Sequence, residues 1–92
     1  MELIELQRAI EAILFAAGER VEISRLSMAL QTDPEEIRVA ADALADELAF
    51  NRRGIRIIRL DDGYQMVSSG EMADYITKAL ETRKPPKLSA SQ

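Results

Sequence analysis

Asp33-Pro34-Glu35-Glu36 marks a helix start with little ambiguity, and it constrains the fold more than any other stretch of the chain. The Asp side chain is suited to cap free backbone N–H groups. The Pro presets the first helical residue, and the two acids face the positive end of the helix dipole. Ile37, Ala40, Ala41, Leu44 and Leu48 then recur on one face as far as Phe50, and Asn51 to Gly54 turn the chain out of the helix. Two β-rich runs follow at once, Ile55 to Leu60 and Tyr64 to Val67, with Asp62-Gly63 between them as the pair expected of a tight hairpin turn. A helix that leads directly into a short hairpin leaves few architectures open to a chain of 92 residues, which has room for a single core.

The remaining elements are read by the same periodicities. Leu3, Leu6, Ile10, Ile13, Leu14 and Ala17 form the apolar stripe of a first helix that ends at Gly18. Val21 and Ile23 alternate as a very short strand, and Ser24 is the expected cap of a two-turn helix with Leu26, Ala29 and Leu30 inward. Ser68 to Glu71 offers another cap, before a fourth helix carrying Met72, Tyr75, Ile76 and Leu80. Pro85-Pro86 favours an extended linker, and Ser89-Ala90-Ser91-Gln92 reads as the capping box of a further helix. The order predicts an α+β fold: a winged helix, with a helix-turn-helix core and a short two-stranded wing, plus one additional C-terminal helix. Its expected extent is residues 1–81, with 82–92 a linker and the start of a second winged-helix domain.

Composition narrows the function. The chain has no Cys and no His, which removes thiolate metal sites, the commonest metal ligand and the commonest general base. No catalytic constellation, cofactor motif or metal site is found, and the expectation is a non-enzyme without cofactors. No apolar run approaches the roughly 20 residues of a membrane span, and the acids Glu2 and Glu5 occupy the place of a signal peptide's basic region, so a cytoplasmic location is expected.

A net charge of −4 opposes non-specific attraction to nucleic acid. The third helix, which enters the major groove in DNA-binding members of the fold, carries Glu35, Glu36, Asp42, Asp46 and Glu47 against Arg38. The wing tip, Asp61-Asp62-Gly63, is short and acidic as well. The candidate phosphate contacts of a DNA-binding transcriptional regulator are Arg52, Arg53, Arg56 and Arg59. Their alternative use is to block edge-to-edge strand pairing.

Apolar residues also fall outside the core faces. At about 100° per residue, Ile4 and Phe15 lie nearly opposite the first helix's stripe, on the side of Arg8 and Glu11. Val39, Ala43 and Phe50 form a second apolar line on the third helix. These seven residues are the candidate interface of a homodimer, unless the fourth helix or the hairpin covers them.

The run Ile10-Glu11-Ala12-Ile13-Leu14-Phe15 with Gly18-Glu19 and Val21, then Arg53-Gly54-Ile55-Arg56, Gly63-Tyr64-Gln65 and Lys87-Leu88-Ser89, resembles the segregation and condensation protein B family of bacterial chromosome-maintenance proteins. The resemblance covers nearly the whole chain but only the N-terminal half of such a protein. Arg20 stands where the family often has Pro. The resemblance implies a dimerising, non-enzymatic scaffold in chromosome condensation and segregation. It implies the kleisin subunit and the SMC complex as partners, reached mostly through the second module. It also implies association with the nucleoid through that complex, while the acidic third helix and wing tip argue against direct sequence-specific nucleic-acid binding.

Overall fold

In a computed structural model of the chain, residues 2–81 are described. The order is α1 (Leu3–Ala17), β1 (Val21–Glu22), α2 (Ile23–Leu30), α3 (Pro34–Phe50), β2 (Ile55–Leu60), β3 (Gly63–Ser68), a 3-10 turn (Gly70–Met72) and α4 (Ala73–Glu81). The three strands form one antiparallel sheet in the order β1-β3-β2, and the α+β winged-helix architecture expected from element order is the one observed. The linker and capping-box expectations at 82–92 lie outside the described residues.

Helix ends follow local chemistry. Asp33 accepts from the Glu35 N–H at 2.9 Å with Pro34 at the first helical position, and Gly18 closes α1 in the left-handed region at φ 66°. The second helix departs from the expected start. It begins at Ile23, one residue before the Ser24 expected to cap it, because the Ile23 N–H donates to the Asp62 carbonyl at 2.8 Å. A carbonyl of the hairpin turn satisfies the helix N-terminus, so no side-chain cap is required. Ile23 is consequently a buried helical residue, and the strand is only Val21–Glu22. Ala29, expected inward, is exposed.

The core joins Leu6, Ile10 and Leu14 of α1, Leu26 of α2, Ile37, Ala40, Ala41, Leu44 and Leu48 of α3, and Ile57 and Tyr64 of the sheet. Leu3 and Ala17, read as part of the α1 stripe, are exposed at its two ends. Among the residues of α4 none is buried. It starts one residue after the expected Met72, because Ser69, itself buried, caps the intervening 3-10 turn through the Glu71 N–H.

The hairpin turn is shifted by one residue. Leu60 pairs with Gly63, so Asp61-Asp62 are the turn residues, and the positive φ of 54° belongs to Asp61. Gly63 serves a different need, the close passage of β1. A Cβ at this position would lie 2.8 Å from the Val21 carbonyl oxygen and 2.9 Å from Arg20 Cγ. The first of these is backbone, held in the ladder by the Glu22–Gly63 and Val21–Tyr64 pairs, and cannot swing away. Gly63→Ala is therefore expected to lower unfolding stability by about 1–3 kcal/mol, measured by urea denaturation. Unchanged stability would show that β1 does not run this close to β3.

Candidate interaction surface

Two faces were candidates for function, the α3–wing face and the outer face of α1. On the first, Tyr64 is 1% exposed. Its hydroxyl donates to Asp42 Oδ1 at 2.8 Å, while Arg59 Nη1 lies 3.8 Å from Asp42 Oδ2. Asp42, exposed on the outer strip of α3 as expected, also ties the sheet to α3. Burial first, and then the hydrogen bond to Asp42, push the Tyr64 hydroxyl from its usual 10.0 up to about 12.

The wing tip is also tied down. Arg20 Nε donates to the Leu60 carbonyl at 3.0 Å, and the Asp62 carbonyl is held by Ile23. A hairpin fastened in this way cannot reach outward as a DNA-binding wing would. Most of the four candidate phosphate contacts are engaged within the domain. Arg52 pairs with Glu71 at 3.4 Å, Arg56 donates to the carbonyls of Arg53 and Ile55, and Arg59 faces Asp42. Arg53 alone of the four has no side-chain partner among the described residues. Nothing in this geometry favours the DNA-binding regulator.

The outer face of α1 is different. Ile4 is 69% and Phe15 77% exposed, and with Arg8 and Glu11 they lie in one row along the helix, spaced by three and four residues. Neither α4 nor the hairpin covers them. Arg8, Glu11, Ala12 and Phe15 form one wall of an open groove whose other wall is Ile55 and Met66 at the base of the hairpin. A second groove lies at the start of α1, where Leu3 and Leu6 meet Val39 under the acids Glu35 and Glu36.

The seven candidate interface residues therefore divide. Ile4, Arg8, Glu11 and Phe15 share the α1 strip, and Val39 joins the Leu3 groove. Ala43 and Phe50 are exposed on α3 but line neither groove. Sequence reasoning missed Ile55 and Met66, which periodicity had assigned only to strands, and it missed Leu3 by placing it in the core. Among the described residues no cluster of acidic side chains is arranged to hold a metal ion, and no helix is long and apolar enough to cross a membrane.

Residues 8–92 match the family described as segregation and condensation complex subunit ScpB. Segregation and condensation protein B of Lachnoclostridium phytofermentans is 39% identical over 84 residues, 91% of this chain and 44% of the relative. The protein of the same name from Caldanaerobacter subterraneus is 42% identical over 72 residues, 78% of this chain and 43% of the relative. The chain thus spans less than half the length of these relatives. Among solved structures, ScpB from Mycobacterium tuberculosis superimposes with a TM-score of 0.88 at 26% identity, covering 97% of this chain and 56% of that one. A dimer of an ScpB N-terminal domain complexed with an ScpA peptide superimposes with a TM-score of 0.78 at 26% identity, covering 84% of this chain and 96% of that one.

Tyr64 supplies a test of how the sheet is fastened to α3. With the folded value near 12 and the unfolded value near 10, the folded state holds the phenol proton more tightly. That contribution is complete below pH 10 and is lost as the pH rises from about 10 to 12. Tyr64→Phe should cost about 1 kcal/mol at neutral pH, since Asp42 keeps access to water and Arg59. It should also flatten the alkaline decline, followed by circular dichroism melts across this range. An unaltered decline in the variant would assign it to other groups.

Proposed function

The chain belongs to the ScpB family of segregation and condensation complex subunits, and from that premise we propose that this domain is a homodimerising scaffold. It acts without catalysis in chromosome condensation and segregation, within an SMC–kleisin complex in the cytoplasm at the nucleoid. The observation that carries the reading is the α1 strip. Ile4 and Phe15 stand open to solvent beside a groove floored by the hairpin base, on a domain too small to cover them itself. A two-fold arrangement sets this strip against its copy, which removes both aromatic rings from water and leaves Arg8 and Glu11 to pair across the axis.

The related ScpB N-terminal domain, solved as a dimer complexed with an ScpA peptide, supports both the dimer and the kleisin contact of this assignment. It also supports giving part of the kleisin contact to this domain, where the sequence alone suggested that most belongs to a second module. The scaffold's mechanism is positional. A rigid domain joined to its twin presents two copies of whatever follows in the chain at a fixed spacing, and binding a kleisin segment across two copies raises its effective concentration.

Phe15→Asp places a charge in the proposed contact and removes its largest apolar group, and a central aromatic of this kind commonly carries more than 2 kcal/mol. The dimer constant measured by sedimentation equilibrium should weaken at least thirtyfold, with the circular dichroism spectrum and melting cooperativity retained. A variant that remains as dimeric as the parent would exclude this face.

A further inference from the structure

The α1 strip is too small to hold two copies together unaided. Fifteen residues make a rod about 22 Å long and 10 Å wide, so one face contributes only a few hundred Å2. A stable interface takes on the order of 800 Å2 from each partner. The same chain carries an unused apolar surface close by. In α4 the residues Tyr75, Ile76 and Leu80 gather on one side with Met72 of the lead-in turn, and Asp74, Thr77, Lys78 and Glu81 lie opposite. Met72 and Ile76 are half-buried, whereas Tyr75 and Leu80 are exposed.

The root of α4 is fixed, although the helix buries nothing. Its lead-in is pinned by the Ser69 N–H on the Gly54 carbonyl at 2.8 Å and by the Arg52–Glu71 pair. Immediately before it, Ser68 is paired with Ile55, a wall of the open groove. A helix rooted beside a two-fold contact is close to the partner's groove as well as its own, and its own groove stands empty of it.

We propose that in the dimer α4 of each protomer packs into the partner's groove between α1 and the hairpin base, an exchange of helices that completes the interface. Tyr75 and Leu80 lie against Phe15 and Met66 of the second copy. The charged side of α4, with Asp74, Thr77, Lys78 and Glu81, then faces away from the groove and stays in water. The inference rests on the dimer proposed above and extends it to a second element.

Cysteine pairing tests it without background, because the chain has no cysteine of its own. The probes are the Ala12→Cys and Ala79→Cys proteins, residue 79 lying on the apolar side of α4, mixed and allowed to exchange subunits before mild oxidation. The expected product is a chain pair at twice the monomer mass, forming in the mixture faster than in either protein alone. The double variant should give the same intermolecular band. A double variant that closes only within one chain would overturn the exchange, as would a mixture that stays uncrosslinked while sedimentation shows an intact dimer. In parallel, Leu80→Glu alters a residue that supports no part of the core, and it should weaken dimerisation tenfold or more. An unchanged dimer constant in Leu80→Glu beside a dissociated Phe15→Asp would refute helix exchange and leave the α1 contact standing. Full dimerisation of both variants would remove the two proposals together.

Discussion

The architecture depends on Tyr64. It lies in the middle strand of the sheet, paired with Val21 on one side and Arg59 on the other, and its hydroxyl reaches Asp42 on α3. One side chain therefore links all three strands to the longest helix, and its ring fills the core between them. A phenol suits this place because it combines a large apolar body with a polar end that needs a partner when buried. The neighbouring Gly63 makes the arrangement possible by letting the β1 backbone pass close to β3.

This fastening has a consequence for function. With the hairpin held back through Ile23, Arg20 and Asp42, the wing that other winged helices turn toward nucleic acid is used internally, and the outer face of α3 offers mainly acids. Most of the basic side chains of the hairpin are drawn into the same network. The layer that remains unfinished is the opposite one, where α1 has the sheet and α3 on its inner side and only solvent on its outer side. A domain of this size builds a single core, and under the proposed function a second copy supplies the missing layer.

Much of this was legible in the sequence wherever a pattern reports directly on burial. The inner faces of α1 and α3 followed from helical spacing, the start of α3 from Asp33 and Pro34, and the open strip from Ile4 and Phe15 standing at polar angles. What was not legible depended on contacts between distant residues. A glycine at a hairpin shows that a Cβ is unwelcome, but not whether φ or a neighbouring strand forbids it, so the turn was placed one residue late. Ser24 matches a cap, yet the Asp62 carbonyl took that role from 39 positions along the chain. Summed charge located the arginine cluster but could not reveal that Arg59 faces Asp42 and Arg52 faces Glu71. Amphipathicity in α4 showed a face fit for burial, without showing that its own body leaves that face largely uncovered.

The central claim is that the outer face of α1 is made for protein, and that the α3–wing face, acidic and with its hairpin tied back, is not used for binding. Dilution through the dissociation range, followed residue by residue in amide NMR spectra, addresses it most directly. The account predicts that resonances of Ile4, Arg8, Glu11, Phe15 and Met66 move with concentration while those of Arg38, Asp46 and Asp61 stay fixed. Movement confined to the α3 and wing-tip residues, with the α1 strip unchanged, would contradict it.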